Sequence, residues 1–199
     1  MGKQADNAEG MLQVFLSYDM ISDMSDTTEL NQSQATTLCK ACGLCCTGHL
    51  FIWVKLRPRE LDSAEALGMT VLRSDPTQRG FNQPCPLWLG QCTIYDSPHY
   101  PRACLAYKCK LLKELFAESR SLPEALTVVE QAKRLFGEME ALLPKSSNVN
   151  FRERLVTQIE HPQESAWGAN EYATFKQKAQ ALLLFYDQVF GVNNLLEKS

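Results

Sequence analysis

The feature that most constrains this chain is a short run with four cysteines in eight residues, and the chain has eight cysteines in all. The run holds Cys39, Cys42, Cys45 and Cys46, and the others are Cys85, Cys92, Cys104 and Cys109. All eight fall between residues 39 and 109, so they form one local constellation. Thiolates are soft ligands, and sites made only of cysteine select zinc or iron-sulfur clusters. The pattern therefore predicts metal binding.

The composition places these cysteines in an ordinary globular protein. The chain has 199 residues, of which 45% are hydrophobic and 22% charged, which is enough for a core without disulfides. No run approaches the roughly 20 apolar residues of a membrane span, and neither a basic leader nor a small-residue cleavage site is evident. We therefore expect a cytoplasmic protein without a membrane partner. Thiols stay reduced there, so a dense cysteine pattern indicates metal binding or catalysis.

The charge is uneven along the chain. The net charge of -3 argues against a nucleic-acid partner, because phosphate-binding surfaces carry clustered Lys and Arg. Residues 1–38 hold six acidic side chains and only Lys3, whereas the cysteine region is basic. Its cations are Lys55, Arg57, Arg59, Arg73, Arg79, Arg102, Lys108, Lys110 and Lys113. Either an anionic ligand or the acidic N-terminal segment could use that surface, and solvated charge is the simpler interpretation.

The fold class expected from the whole pattern is α+β, mainly α. Residues 1–37 are polar and predict a flexible or partly helical arm. Residues 38–116 predict a small cysteine-rich, metal-binding lobe with short strands. Residues 117–199 predict a helical region of about four helices packed on that lobe.

Within the cysteine lobe, local composition predicts short elements. Residues 50–56 are rich in β-branched and aromatic side chains, which favours a strand. Residues 58–67 begin with proline and predict a short helix. Residues 74–86 contain several Pro, Asp, Asn and Gly residues and predict a loop, while 87–95 predict a small hairpin that turns at Gly90.

Helical periodicity dominates the remainder. Ser121 and Glu124 have the spacing of a capping box, Asn150 and Glu153 open another helix, and Gly191 is a terminator. The expected helices run from Arg102 to Phe116, from Ser121 to Pro144, from Asn150 to Pro162 and from Ala169 to Phe190. Their apolar stripes predict a core, and one of them could instead dock a protein partner.

The cysteine spacings leave several arrangements open. Cys39 and Cys42 form a knuckle whose two sulfurs can reach one metal, with Gly43 suited to a positive φ in the turn that follows. Cys45 and Cys46 are adjacent, so their side chains point apart and suit two neighbouring centres, or one centre and a reactive thiol. Eight thiolates could build two four-cysteine zinc sites, or one iron-sulfur cluster and a further site. One or two could instead pack as small hydrophobes.

The order of motifs resembles that of a known family. The motifs are Cys39-x-x-Cys42-x-x-Cys45-Cys46, Cys85-Pro86-x-Trp88, Gly90-x-Cys92-x-Ile94-Tyr95 and Pro101-x-x-Cys104-x-x-Tyr107-x-Cys109. Together they resemble the CxxCxxCC family of zinc- or iron-chelating proteins over residues 39–109. Tyr100 and Leu105 stand where that family usually has arginines. The resemblance implies bound zinc or iron, and one branch of the family resembles flagellin lysine methylases.

Three function classes follow from these observations. The first is a metal-binding module, the second a metal- or iron-sulfur-dependent enzyme of redox or group transfer, such as protein methylation, and the third a thiol redox sensor. A sensor would need a lowered thiol pKa and solvent access. His49 and His99 are candidates for a spare ligand or for a hydrogen-bond donor to one, with surface histidines as the alternative. No catalytic residue can be assigned from the spacing.

Overall fold

The protein is α+β and mainly α, as the sequence predicts. The computed structural model describes residues 30–146, 149–161 and 167–192. The helices are α1 (residues 30–42), α2 (Leu61–Ala66), α3 (Arg102–Ala106), α4 (Lys110–Phe116), α5 (Leu122–Glu140), α6 (Phe151–Glu160) and α7 (Ala169–Phe185). The strands are β1 (Trp53–Lys55), β2 (Val71–Leu72) and β3 (Gly80–Asn82). Among the described residues, no helix is long and apolar enough to cross a membrane.

The small sheet is antiparallel, with β3 between β1 and β2. The expected strand over 50–56 is present in its later part as β1, and the prediction of a loop over 74–86 is wrong for residues 80–82, which form β3. Gly80 in this segment reads as a turn residue, yet it lies in β3 opposite Lys55. A Cβ at this position would come within 2.0 Å of the Val54 carbonyl oxygen. The glycine therefore permits close strand pairing rather than a turn.

The sheet and α2 pack together around a small core that is separate from the helical one. A 3₁₀ turn (Pro58–Glu60) leads into α2, which agrees with the short helix expected to begin at a proline over residues 58–67. Phe81 from the central strand is 1% exposed and packs at the middle of this core. The buried members are Leu56, Leu61, Ala64, Met69 and Phe81. We call this set the sheet core.

The larger core lies among the helices. The predicted capping box is confirmed, since Glu124 accepts from the backbone and side chain of Ser121 at 2.8 and 2.6 Å. The side chain of Asn150 caps α6 by accepting from the Glu153 amide. The last helix continues through a π-helical segment (Tyr186–Phe190) and ends at Gly191, whose φ of 67° is the left-handed terminus expected there.

The helix expected to run from Arg102 to Phe116 is divided in two. Tyr107 and Cys109 have extended backbone, so the chain passes from α3 to α4 through a break. Leu105 consequently lies on α3 with 56% exposure rather than on the apolar stripe, while Leu111 and Leu115 of α4 are buried in the helical core. The periodicity missed the break because both pieces are short.

The helical core also reaches into the N-terminal segment. Residues 1–29 of the predicted arm lie outside the described residues, but 30–37 belong to α1. Ala35 and Leu38 of that helix are each 3% exposed and are part of the helical core. The helical core therefore draws on residues from both sides of the cysteine lobe.

Candidate functional site

The first two cysteines lie at the end of α1. Cys39 and Cys42 are three residues apart in that helix and so share a face. Gly43 ends the helix with a φ of 68°, and its amide donates to the carbonyl of Cys39. The knuckle predicted from the spacing is thus a helix terminus, and the positive φ expected of Gly43 is present.

The second cysteine segment packs directly on this terminus. The Trp88 indole covers Gly43 so closely that a Cβ there would lie 2.0 Å from Cζ2 of the ring. The amide of Cys85 donates to the carbonyl of Cys46 at 2.7 Å. Cys92 then faces Trp88 across an isolated β-bridge, which gives the small hairpin predicted over 87–95. These contacts bring residues 85–92 against residues 42–46.

Cys104 and Cys109 complete the arrangement from two different helices. Cys104 lies within α3, and Cys109 is the residue that precedes α4 at its N-terminus. Backbone amides of Leu111 and Leu112 donate toward the Cys109 sulfur, as expected where a helix begins. Cys104 packs against the sheet core and Cys109 against the helical core. The pair therefore spans the two cores.

The structure brings the cysteines together around one cavity of about 230 Å³. All eight are free thiols, and each is half-buried. Only Cys85 does not line the cavity wall, and its backbone contact places it beside Cys46. The lining cysteines are Cys39, Cys42, Cys45, Cys46, Cys92, Cys104 and Cys109.

Packing and mutual electrostatics together group the eight thiols into two sets of four. Burial is the largest cause that raises the pKa of Cys45 and of Cys46. Among the other thiols, Cys42, Cys109, Cys46 and Cys39 add to the shift at Cys45, whereas Cys92, Cys85, Cys104 and Cys42 add to it at Cys46. The first set, which we call group 1, is Cys39, Cys42, Cys45 and Cys109, and its members all pack on the helical core. Group 2 is Cys46, Cys85, Cys92 and Cys104. The two groups meet at the vicinal pair, where Cys45 and Cys46 interact and Cys42 also raises the pKa of Cys46, and again where Cys92 raises the pKa of Cys39.

Burial makes all eight thiols hard to ionise. It raises the pKa of Cys39 to about 12 and that of Cys42 to about 11, and neighbouring thiols add to both shifts. The pKa of Cys104 is likewise raised to about 12, first by burial and then by Cys85. Reactive thiols instead have a lowered pKa. This arrangement therefore disfavours a redox sensor.

Backbone amides oppose the burial effect at several sulfurs. The amide two residues further along the chain donates toward the sulfur at Cys42, Cys85 and Cys92 and lowers the thiol pKa there. The donors are Leu44, Leu87 and Ile94, respectively. Such N–H groups stabilise a negative sulfur, as they do around metal-bound thiolates.

The side chains are close without forming a ligating cage. Across the described residues, no group of three or more His, Cys, Asp or Glu side chains has a geometry that could hold a metal ion. Two polar atoms beside the cysteines are nevertheless buried without a hydrogen-bond partner in the described part of the chain. They are Trp53 Nε1 and Gln83 Oε1, and both residues line the cavity. Buried polar groups without partners point to an absent ligand or water.

Several residues at the site were not singled out as functional by sequence reasoning. Gln83 has no motif signal, and Tyr100 was noted only as a departure from the family pattern. Tyr95 and Tyr107 stand inside the quoted motifs, and all four residues line the cavity. The Tyr107 ring packs edge-on against Phe51 at 4.7 Å. Burial raises the pKa of both Tyr95 and Tyr107. These phenols therefore stay protonated and can donate hydrogen bonds.

The histidines lie apart from the cavity. His49 packs against the Phe136 and Phe151 rings, with centroid distances of 4.6 and 4.8 Å, and its Nδ1 lies 2.7 Å from the Thr47 hydroxyl. Its carbonyl accepts a hydrogen bond from the buried Tyr186 hydroxyl. The surface interpretation is therefore wrong for His49, which joins the cysteine segment to the helical core. His99 is exposed, as that interpretation expects.

Comparison of the chain with protein-family profiles, curated proteins and solved structures found no match.

Proposed function

We propose that this protein binds zinc or iron through two neighbouring four-cysteine centres, one formed by group 1 and the other by group 2. The observation that carries the proposal is the division of the thiols, in which the adjacent residues Cys45 and Cys46 belong to different groups. Four thiolates are the usual ligand set of a closed zinc or iron-sulfur site. Adjacent side chains diverge, so the vicinal pair suits two centres better than one.

The chemistry of the thiols supports a cation at each centre. Burial and mutual repulsion oppose ionisation of the free thiols, and a divalent cation removes both penalties because metal binding displaces the thiol protons. The amides directed at Cys42, Cys85, Cys92 and Cys109 offset the remaining negative charge. Metal binding would draw the sulfurs of each group closer together than they stand in the metal-free arrangement.

The resemblance to the CxxCxxCC family supports the same conclusion. Its quoted motifs contain all eight cysteines, and Trp88 of the second motif is the residue that covers Gly43. The resemblance supplies no catalytic residue. A metal- or iron-sulfur-dependent enzyme is the second candidate, favoured by the position of the cavity between the cysteine segments and the helical residues Val129 and Phe190.

The division into two centres can be tested with two double variants that each remove two cysteines. Cys45→Ser with Cys109→Ser removes two ligands from group 1 and should retain about half of the bound metal. Cys45→Ser with Cys46→Ser removes one ligand from each group and should lose almost all of it. The measurement is metal per chain by mass spectrometry after anaerobic purification. Equal metal loss in the two variants would refute the division.

The identity of the metal is read from the same samples. Zinc centres are colourless, whereas iron-sulfur centres absorb visible light. Because Cys45 belongs to group 1 and Cys46 to group 2, Cys45→Ser and Cys46→Ser should each cost about half of the metal.

A further inference from the structure

A second recess lies beside the cysteine cavity and shares the lining residues Lys55 and Ala103 with it. It has a volume of about 380 Å³, within the size range of small-molecule sites. Its charged walls come from three separate segments of the sequence. The charged residues are Lys55, Arg57, Glu60, Arg79 and Arg102. Ala103 lines both this recess and the cysteine cavity, so the two are neighbours. We call it the arginine recess.

Glu60 is the single carboxylate among the described residues that line the recess, and it is already engaged. Glu60 accepts hydrogen bonds from the backbone amides of Arg57 and Arg102 at 2.7 and 2.8 Å. This carboxylate therefore joins the start of the 3₁₀ turn to the start of α3 and sets two arginines on one wall. Glu60 bonds to the main chains of these two arginines and forms no salt bridge with their guanidinium groups.

The cations of the recess have no ion-pair partner among the described residues. None of Lys55, Arg57, Arg79 and Arg102 forms a salt bridge within the ranges that the structure describes. Hydrogen bonds from Thr77 lower the pKa of the Asp75 carboxyl, and the charge of Arg79 adds to that shift. However, Oδ1 of Asp75 accepts from the amide and hydroxyl of Thr77, both at 2.7 Å. Four like charges around one recess attract an anion.

Arg79 gives the most specific indication that an anion binds in the recess. Its carbonyl accepts from the Leu56 amide at 3.0 Å, which fixes the residue beside β1. Its Nε atom is shielded from solvent and has no hydrogen-bond partner in the described part of the chain. A buried guanidinium N–H without an acceptor is costly, and an oxyanion in the recess would supply that acceptor.

We propose that the arginine recess binds a small molecule that carries a phosphate or diphosphate group. Arginine forks match the oxygens of phosphate bidentately, and four cations against one engaged carboxylate suit a multiply charged anion. The recess is concave and local, while the chain as a whole is acidic, which favours a small ligand over nucleic acid. The bound group would lie next to Cys104, beside group 2.

The proposal can be tested by calorimetric titration of the full chain with inorganic pyrophosphate at fixed ionic strength. Saturable binding is expected, and Arg79→Gln should weaken it at least tenfold. Arg102→Gln should also weaken it severalfold, and because Arg102 is exposed this variant should fold normally even if Arg79→Gln does not. Metal content should be unchanged in both, which separates this test from that of the metal centres.

The matched control is Arg73→Gln. It removes one positive charge from the same part of the chain, but Arg73 is already paired with Asp62 and Glu65 at 2.8 and 2.6 Å. Pyrophosphate affinity should change less than twofold in this variant. The proposal is overturned if the control weakens binding as much as Arg79→Gln, if the unaltered chain binds no pyrophosphate, or if citrate binds more tightly than pyrophosphate.

Discussion

Substituting Gly43 by alanine would separate two roles of this glycine. Its φ of 68° is one that L side chains rarely adopt, which costs about 1–2 kcal/mol. In addition, the new Cβ would lie 2.0 Å from Cζ2 of Trp88, so the indole must move. Trp88 is half-buried, and complete loss of a buried tryptophan costs about 3–5 kcal/mol, so its displacement should cost about 2 kcal/mol. The total destabilisation expected is about 3–4 kcal/mol.

Gly90→Ala is the matched control for this substitution. Gly90 has a φ of 79°, but a Cβ there would meet nothing within 4 Å. The control therefore incurs only the backbone strain of about 1–2 kcal/mol. Both glycines lie in the cysteine region, so any general weakening of that region is shared. Urea unfolding of the two variants, with metal content measured in parallel, gives the comparison.

A double-variant cycle assigns the difference to Trp88. In a Trp88→Ala background the obstacle is gone, and Gly43→Ala should then cost no more than Gly90→Ala. The expected coupling between the Gly43 and Trp88 substitutions is about 2 kcal/mol. Equal destabilisation by Gly43→Ala and Gly90→Ala in the unaltered background, or a coupling near zero, would refute the argument that Trp88 locks the second cysteine segment onto α1.

Three further predictions concern pH, metal removal and strand pairing. Burial lowers the pKa of His49 from 6.5 to about 4, so the unfolded chain binds more protons between those values. Unfolding free energy should fall by up to about 3 kcal/mol as pH drops from 6.5 to 4, and His49→Gln should flatten that part of the profile in urea titrations. Chelation should lower hydrogen-exchange protection across residues 39–109 and leave α5 protected, whereas uniform protection before and after would contradict the proposed centres. Gly80→Ala should destabilise strongly, because its Cβ meets a backbone oxygen, while Gly137→Ala in α5, where the space is open, should raise the thermal midpoint.

Sequence reasoning succeeded where the signals are local. The caps at Ser121 and Asn150 and the terminator at Gly191 are short-range chemistry, and all three appear in the structure. The strand β3 was missed because its neighbours are Pro, Gln and Asn residues typical of loops, and only pairing with β1 and β2 stabilises it. The sequence allowed a partly helical arm over residues 1–37 but did not place the helix at 30–37, for a similar reason. That segment is polar apart from Leu30 and Ala35, and Ala35 owes its burial to the helical core.

The division of the cysteines required tertiary information. Spacing predicted that Cys39 and Cys42 share a metal, and it left open whether the vicinal pair serves one centre or two. Which downstream cysteine joins which set depends on the break between α3 and α4, which directs Cys104 and Cys109 to different cores. That break lies in a stretch whose apolar residues read as one continuous helix.

The vicinal pair joins the two thiol groups through a single peptide bond. Consecutive Cα atoms are about 3.8 Å apart. Cys45 packs on the helical core, whereas Cys85 and Cys104, which belong to group 2 with Cys46, pack on the sheet core. A metal at either group would therefore fix one end of a dipeptide whose other end belongs to the second group. Occupying one centre restricts the backbone that the other centre must order, so the entropy cost of the second binding event is smaller. The two proposed centres should accordingly fill cooperatively, with the peptide bond between Cys45 and Cys46 as the element that couples them.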